Sequence, residues 1–276
     1  MELKTNSNFI MINDEIHRKD DIDDLYIEDD ISIYEVIRII DGIPLFYEDH
    51  MQRMYNSCKR LNCDFPYDKN TILDYINNLI YKNQINNMNV KIVYSGFENS
   101  QQQLVIFFIQ SFYPDLDMYN NGVKVITVNA NRDNPNIKSV NEKFKTNIKE
   151  ELNKRNAFEA ILISEEGTIT EGSRSNIFFV KENKLITAPK GDVLLGITRK
   201  KILEICEKLQ IDIIEKKIEV RELADMDGIF MTGTSVGVLP IREVNDYNYK
   251  SFENNVIKNI QNEYNKEVIK YIDENK

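Results

Sequence analysis

The first third of the chain shows two kinds of hydrophobic periodicity, one typical of strands and one typical of helices. In the helical pattern, Met51, Met54, Cys58 and Leu61 recur at spacings of three and four, which predicts a helix over residues 49–61 with one buried stripe. A second helix is predicted at 71–81. Strands are predicted at residues 9–13, 33–40, 43–47, 90–94 and 103–110. Together these elements form a compact α+β unit.

Residues 111–122 separate this unit from the rest of the chain. They contain Pro114, two aspartates and Asn-Asn-Gly, a composition typical of a connection rather than of a helix or strand. We therefore predict an α/β fold with a smaller N-terminal α+β domain, residues 1–115, and a larger C-terminal domain, residues 116–276.

The pattern of the second domain again mixes strands and helices. Strands are predicted at 123–128, 158–164, 176–180, 211–218 and 229–232, and helices at 140–156, at 199–209 and from about 252. The turn at 165–167 predicts that the strand at 158–164 forms a hairpin with the strand at 176–180.

Charge and length then exclude several classes of protein. The 276 residues include 45 acidic and 35 basic side chains, and the net charge of −10 argues against binding to nucleic acid. The longest apolar run, 104–109, is far shorter than the ~20 residues that cross a bilayer, and residues 1–13 lack the features of a signal peptide. Three cysteines without paired spacing and two histidines predict neither disulfides nor a metal site. We expect a cytoplasmic protein that binds no membrane.

Candidate chemistry is concentrated between residues 167 and 237, where seven of the ten glycines lie. Glycine is favoured where backbone approaches a bound group closely, although hairpin loops also account for glycines. Within this region Thr198 is a predicted helix N-cap, followed by Arg199, Lys200 and Lys201. Three cations in a first helical turn oppose the helix dipole, unless an anion such as phosphate binds there or the side chains extend into water.

Three further places carry candidate chemistry. The loop at 232–235, Thr-Gly-Thr-Ser, follows a predicted strand and offers hydroxyl and backbone donors to a phosphate, but it matches no nucleotide-binding motif. Glu171 lies in a glycine- and serine-rich turn, where most glutamates are solvated. Lys138 lies between an Asn-Pro turn and a predicted helix start, and burial beside an apolar strand would favour its neutral, nucleophilic amine.

Nine segments, taken in order, carry a family resemblance that no single one of them carries. They are 34–38 (YEVIR), 50–53 (HMQR), 137–141 (IKSVN), 158–162 (FEAIL), 170–172 (TEG), 176–178 (NIF), 196–199 (GITR), 232–234 (TGT) and Pro240. This ordered set spans most of the chain. It resembles the class IV, or fold type IV, pyridoxal-phosphate enzymes, a group with branched-chain and D-amino-acid aminotransferases and aminodeoxychorismate lyase.

The resemblance implies a role around pyridoxal 5′-phosphate for each of nine residues. Lys138 is implied to hold the cofactor covalently and to move the substrate proton, and Glu171 to face the pyridine nitrogen. Leu194 is implied to pack on the ring, and Tyr34 to line the substrate pocket. The residues implied to bind the cofactor's phosphate are Arg53, Ile197, Thr198, Thr234 and Ser235.

The chain departs from the family pattern where relatives bind the substrate carboxylate. D-amino-acid aminotransferases have an arginine and a histidine after the strand, where this chain has Ser95 and Phe97, and branched-chain enzymes have a tyrosine where this chain has residues 141–142. The usual glycine-rich turn before the first family strand is replaced by residues 27–32. Lys91 and Arg174 are the candidates for binding the substrate carboxylate.

The expected activity is amino transfer between an amino acid and a 2-oxo acid. The resemblance also implies a homodimer, with the cofactor in the cleft between the two domains. Within the family the alternative is aminodeoxychorismate lyase, which forms 4-aminobenzoate and pyruvate without an amino acceptor. A cofactor-free binding protein of the same fold is a third hypothesis, disfavoured because Lys138, Glu171 and Arg53 are all present.

Overall fold

A computed structural model of the chain describes residues 5, 7–22, 32–97, 102–130, 135–139 and 142–276. Its contacts group into two compact units. The first unit comprises Met1–Phe112, Ile137–Val140 and Val268–Lys276, and the second comprises Tyr113–Asn136 and Asn141–Glu267. The predicted domain boundary between residues 115 and 116 stays a prediction.

An antiparallel sheet forms the centre of the first unit. Its strands are β1 (Phe9–Ile12), β2 (Glu15–Arg18), β3 (Ile33–Ile40), β4 (Ile43–Pro44), β5 (Met88–Ser95) and β6 (Gln103–Ile109). They lie in the order β2-β1-β6-β5-β3-β4. Two helices of this unit are α1 (Tyr47–Arg60) and α2 (Lys69–Asn83).

The core of the first unit lies where the two helices pack on the sheet. β3 alternates buried and half-buried positions along its whole length, and Ile33 and Ile37 on the buried face have no exposed surface. The predicted stripe of α1 is confirmed, since Met51, Met54 and Cys58 belong to the same core cluster as those isoleucines. Alternation in β3 therefore assigns one of its faces to the helices.

The strand predicted at 43–47 is wrong over its second half. β4 ends at Pro44, Phe46 takes a left-handed conformation with φ of 52° as the N-cap of α1, and Tyr47 already begins the helix. Contacts with Tyr271 explain this early start. The Tyr271 hydroxyl accepts a hydrogen bond from the Tyr47 N–H at 3.0 Å, and its ring packs edge-on to Phe46.

The second unit contains a larger sheet. Its described strands are β7 (Val123–Asn129), β8 (Glu159–Ile163), β9 (Thr168–Gly172), β10 (Asn176–Lys181), β11 (Lys184–Thr187), β12 (Ile213–Glu215), β13 (Ile218–Glu219), β14 (Gly228–Gly233), β15 (Gly237–Val244) and β16 (Tyr247–Asn248). Their order is β12-β11-β10-β14-β15-β7-β8-β9-β13, and β16 pairs with β15. The further helices are α3 (Leu116–Asn121), α4 (Glu142–Arg155), α5 (Ile197–Lys208) and α6 (Asn255–Glu274).

Two predictions for the second unit are wrong. β8 forms its hairpin with β9, whereas β10 pairs with β11 and β14. The five residues of β9 include a single large apolar side chain, Ile169, so its hydrophobic signal is weak. The connection at 111–122 contains α3, because the Asp115 carboxylate accepts a hydrogen bond from the Met118 N–H and caps a short helix.

The mixed α/β class is confirmed, since helices and strands contribute to both units. A second core cluster joins β7, β8, β10, β14 and β15 through buried aliphatic side chains such as Val125, Ile161 and Leu239. Among the described residues, no helix combines the length and the apolar character needed to cross a membrane.

A cross-strand aromatic pair tests the pairing of β10 with β14. Phe178 and Phe230 are directly opposite, fully buried and stacked at 5.1 Å between ring centroids. We expect Phe230→Ala to lower the free energy of unfolding by about 3–5 kcal/mol in urea denaturation, through lost burial and the resulting cavity. Tyr81→Ala, at a side chain 80% exposed, is the control and should change it by less than about 0.5 kcal/mol. Equal effects of the two variants would contradict the assigned pairing.

Candidate active site

The segment that carries Lys138 is attached to the edge of β3. The Tyr34 N–H donates to the Lys138 carbonyl at 3.0 Å, and Ser139 forms an antiparallel bridge with Ile33. The Lys138 ammonium lies over the Tyr34 ring, 4.9 Å from its centroid. Two residues that the sequence assigns to one site, the lysine and the pocket tyrosine, are therefore in contact.

A buried charge cluster occupies the other face of β3. Glu35 has no exposed surface, and its carboxylate accepts two hydrogen bonds from Arg53, from Nε and Nη2, both at 2.7 Å. His50 Nδ1 lies 2.8 Å from the same carboxylate. His50 and Arg53 are one turn apart on α1, so a single helix supplies both partners.

This cluster shows that Arg53 is not a solvated helix-surface arginine. Its side chain is only 10% exposed, and the two-pronged pairing uses two of the five N–H donors of a guanidinium. Pairing through one edge fixes the plane of the group while its remaining donors point elsewhere. The role of Arg53 as a phosphate ligand stays a prediction. Its pairing with Glu35 sets the orientation of the guanidinium.

The cluster also determines its own ionisation. Burial alone would raise the pKa of Glu35, but the adjacent Arg53 guanidinium, with a hydrogen bond from His50, lowers the pKa to about 2. Burial lowers the pKa of His50; its pairing with Glu35 raises it, and the charges of Arg53 and Lys138 lower it. At neutral pH the cluster therefore consists of a carboxylate, a guanidinium and a neutral imidazole, and the tautomer with hydrogen on Nδ1 donates to Glu35.

Glu171 is the centre of a second polar cluster, in the other unit. It is 2% exposed near the end of β9, and its Oε2 accepts hydrogen bonds from the Leu194 N–H at 3.0 Å and from Asn176 Nδ2 at 3.4 Å. The same Asn176 amide donates to the Leu194 carbonyl at 2.9 Å. Glu171 also borders a cavity of about 280 Å³. The carboxylate is thus a buried, hydrogen-bonded group beside open space, and not a solvated turn residue.

The stretch after Leu194 leads into the N-terminus of α5. The N-cap is Gly196 and not Thr198, which already lies within the helix, so the predicted cap is wrong. Glycine is needed here because a Cβ on residue 196 would lie 2.2 Å from Asn176 Oδ1. The Thr198 hydroxyl is instead hydrogen-bonded to Tyr264. No side chain caps α5, and no acidic residue lies in its first turn, so its N-terminal amides are suited to an anion.

The three cations of this turn have carboxylate partners. Arg199 is 4% exposed and pairs with Glu215 at 2.8 Å, and Lys200 and Lys201 lie 3.8 Å and 3.3 Å from Glu204. These partners come from a later strand and from the same helix, so the cations alone give no evidence for a bound phosphate.

The segment 232–235 overlaps the end of β14, which includes Thr232 and Gly233. Thr234 and Ser235 are half-buried in the turn between β14 and β15, which closes at the Gly233 and Gly237 pair. The Thr232 hydroxyl is buried without a hydrogen-bond partner among the described residues. A buried hydroxyl of this kind is a candidate donor, and it belongs to the loop that the sequence analysis named, although no individual role was assigned to Thr232 there.

The two candidates for a substrate carboxylate ligand differ sharply in environment. Lys91, on β5, is 8% exposed, and its ammonium lies 5.0 Å from the Tyr34 centroid and 5.9 Å from that of Phe107. Arg174 is 61% exposed and pairs with Glu159 at 3.4 Å. Lys91 shares the Tyr34 ring with Lys138, so it is the better-placed cation.

The predicted site residues fall into two sets. Tyr34, Arg53 and Lys138 belong to the first unit, and the other six, Glu171, Leu194, Ile197, Thr198, Thr234 and Ser235, belong to the second. The prediction of a cofactor between two domains stays a prediction. Residues 27–31 and Asn141, two of the departures from the family pattern, lie outside the described residues, as does the side chain of Glu142.

Comparison with known proteins identifies the family. The model of the family amino-transferase class IV matches residues 32–244, more than three quarters of the chain. The chain belongs to the class IV aminotransferases. The resemblance seen in the sequence is thereby confirmed, and the chain is an enzyme of a family that uses pyridoxal 5′-phosphate.

The relatives of this class IV aminotransferase have more than one activity. It is 31% identical to the D-alanine aminotransferase of Bacillus licheniformis over 81% of this chain and 82% of that one. It is 24% identical to the aminodeoxychorismate lyase of Bacillus subtilis over 88% of each. The fold matches the branched-chain aminotransferase of Thermoproteus uzoniensis, solved with norvaline, with a TM-score of 0.84, 21% identity and coverage of 96% of each chain.

Several polar residues around the site were not singled out from the sequence. Glu35, His50, Asn176 and Thr232 each contact a predicted site residue or lie next to one. For Glu35 a signal exists, because it stands in phase with Ile33 and Ile37 on the buried face of an alternating strand. A charge at a core position requires a partner, and α1 supplies two.

The Glu35 cluster predicts acid sensitivity of the class IV aminotransferase. A pKa of about 2, against the usual 4.5, means that the paired carboxylate contributes stability above pH 4.5 and that this contribution, about 3 kcal/mol, is lost as pH falls from 4.5 towards 2. His50 acts in the same direction, because its lowered pKa favours protonation of the unfolded chain below about pH 6.5.

The test is urea unfolding of the wild type and of Glu35→Gln from pH 7 to pH 3. We expect Glu35→Gln to lose about 3–5 kcal/mol at pH 7, because Arg53 loses its buried partner, and to show a shallower decline in acid. Glu207→Gln, at an exposed helix position, should follow the wild type. A decline as steep in Glu35→Gln as in the wild type would contradict the assignment of acid sensitivity to this carboxylate.

Proposed function

We propose that the chain is a pyridoxal-phosphate-dependent aminotransferase that exchanges the amino group between an amino acid and a 2-oxo acid. The observation that carries the proposal is the position of Lys138. Its backbone is hydrogen-bonded to β3, and its ammonium lies on the Tyr34 ring. The charge of Lys138 also lowers the pKa of the buried His50. The backbone of Lys138 is therefore fixed at the edge of β3, and its four-carbon side chain carries the amine.

The residues present fit the cofactor in chemical type. The N-terminus of α5 has no side-chain cap and no acidic residue in its first turn, the Thr232 hydroxyl is buried without a partner among the described residues, and Glu171 is a buried carboxylate. A dianionic phosphate accepts hydrogen bonds from helix N-terminal amides and from hydroxyls, and a protonated ring nitrogen is stabilised by a carboxylate. In this proposal the phosphate ligands are Arg53, Ile197, Thr198, Thr234 and Ser235, and Leu194 packs on the ring.

When bound, pyridoxal phosphate supplies an electron sink that stabilises negative charge on the substrate Cα. The chain supplies the proton movements and the orientation. Lys138 Nζ would take the proton from the substrate Cα and deliver it to C4′ of the cofactor. Its flexible four-carbon stem permits this movement. Glu171, whose Oε2 accepts a hydrogen bond from the Leu194 N–H, would stabilise a proton on the pyridine nitrogen of the cofactor.

The substrate carboxylate is assigned to Lys91 in this proposal. A buried ammonium near the Tyr34 ring is a strong site for an anion, because little solvent screens it. Since Lys91 and Lys138 both lie within about 5 Å of the same ring centroid, no more than about 10 Å separates them. This upper limit permits a 2-oxo acid to lie between them, with a carboxylate at Lys91 and its 2-oxo carbon near Lys138.

Aminodeoxychorismate lyase is the second candidate function, because a lyase of Bacillus subtilis matches 88% of the chain. Elimination would use the same Lys138. Release of pyruvate from aminodeoxychorismate without an amino acceptor would identify the lyase, whereas transfer to 2-oxoglutarate or pyruvate would identify the aminotransferase. A homodimer in the cytoplasm completes the proposal, and the three free cysteines fit a reducing compartment.

Replacing Lys138 tests the reactive amine. We expect the wild type with added pyridoxal phosphate to gain a visible absorption band that borohydride makes permanent, with the label mapping to Lys138. Lys138→Ala should lack the band and lose at least about 10³-fold in transfer activity. Lys149→Ala, at an exposed position on α4, should keep both. Labelling at another residue, or a band in Lys138→Ala, would show that the lysine assignment is wrong.

Replacing Lys91 tests the carboxylate ligand. We expect Lys91→Met to raise KM for the 2-oxo acid by about 10- to 100-fold through loss of a charge-assisted hydrogen bond, with a smaller change in kcat. Assays with 2-oxobutyrate and 2-oxoglutarate separate two positions of the anion. A rise with both acids places the α-carboxylate at Lys91, and a rise with 2-oxoglutarate alone places the distal carboxylate there. Lys82→Met, at an exposed position, is the control, and an unchanged KM in Lys91→Met would exclude the residue.

A further inference from the structure

A third buried carboxylate, Glu159, lies outside the roles described so far. It is the first residue of β8 and is 1% exposed. Its carboxylate accepts hydrogen bonds from the hydroxyls of Ser173 and Ser175 and, at 2.9 Å, from the Ala160 N–H, and it pairs with Arg174 at 3.4 Å. All three residues of the turn between β9 and β10 therefore contact one carboxylate, the two serines by hydrogen bonds and Arg174 by an ion pair.

This turn is compact. Its ends are joined by a hydrogen bond from the Gly172 N–H to the Ser175 carbonyl at 2.8 Å, and Ser173 N–H donates to the Ala160 carbonyl at 2.8 Å. A Cβ on residue 172 would lie 2.0 Å from Ser175 Oγ, so only glycine permits the approach. The chain is thus folded tightly around Glu159 over these residues.

The strands on either side of the turn are not held together by a backbone ladder of their own. In the described sheet, β9 pairs with β8 and β13, and β10 pairs with β11 and β14. Glu171 lies just before the turn and Asn176 just after it, and their side chains are hydrogen-bonded at 3.4 Å. The turn therefore sets the distance between the carboxylate and one of its donors.

We propose that Glu159 is a positioning residue for Glu171. By binding both serine hydroxyls and the guanidinium of the turn, Glu159 fixes Asn176, and Asn176 with Leu194 fixes Glu171 Oε2. The inference rests on the proposed function, in which Glu171 faces the pyridine nitrogen. Glu159 acts through the turn, whereas the cofactor contacts Glu171.

A double-mutant cycle separates positioning from simple stabilisation. The variants are Glu159→Gln, Glu171→Gln and the double variant, and the readouts are the Kd for pyridoxal phosphate by absorbance titration and Tm. We expect Glu159→Gln to weaken binding about tenfold in the wild-type background and less than about twofold in the Glu171→Gln background. Thr187→Val, which removes a buried hydrogen bond to the Ile177 carbonyl on the same strand β10, should lower Tm and leave Kd unchanged.

The outcomes distinguish two failures. If Glu171→Gln itself leaves Kd unchanged, the proposed role of Glu171 is wrong. If Glu171→Gln weakens binding but Glu159→Gln does not, or weakens it equally in both backgrounds, the positioning role of Glu159 is overturned while the proposed function stands. Ser175→Ala, which removes one hydroxyl donor, should give the same background-dependent pattern with a smaller change in Kd, and it serves as the test if Glu159→Gln does not fold.

Discussion

The hydrogen bond between the Tyr34 N–H and the Lys138 carbonyl is the interaction on which the candidate site depends. It attaches a short segment, distant in sequence, to the start of β3, and the side chains then follow from strand geometry. Tyr34 points to the face that carries the two lysines, and its neighbour Glu35 points to the face covered by α1. One strand thereby positions the Lys138 amine on one side and a buried ion cluster on the other.

Buried carboxylates recur in both units, and each is stabilised differently. Glu35 is paired with a guanidinium and an imidazole, Glu171 with an amide and a backbone N–H, and Glu159 with two hydroxyls and a guanidinium. A buried carboxylate without such donors would be protonated, because removing its charge from water costs several kcal/mol. The donors therefore do more than stabilise the fold, since they hold each carboxylate in a defined orientation inside it.

The sequence predicted the regular parts of this fold because the signals there are local. Alternation in β3 and the stripe of α1 are properties of neighbouring positions, and both are confirmed. β9 was not predicted because four of its five residues lack a large apolar side chain. The hairpin partner of β8 was therefore assigned to β10, whereas β8 pairs with β9. The partner of Arg199 was not predicted for a similar reason, because Glu215 lies on a strand that local patterns do not connect to α5.

The candidate site was predicted only in part, because some of its residues belong to family motifs and others are recognised only by their contacts in the folded chain. The family resemblance marks Lys138 and Glu171 for a role at the site, whereas Glu159 and Asn176 contact other polar side chains, and such contacts form only in the folded chain. Glu159, Glu171 and Asn176 are attached to strands, and Ile197 and Thr198 lie in the first turn of α5. Groups on rigid elements keep their positions before a ligand arrives, so less of the binding free energy is spent on ordering them. Lys91, 8% exposed on β5, is such a group, and a charge held on a strand in this way needs no rearrangement before it meets an anion.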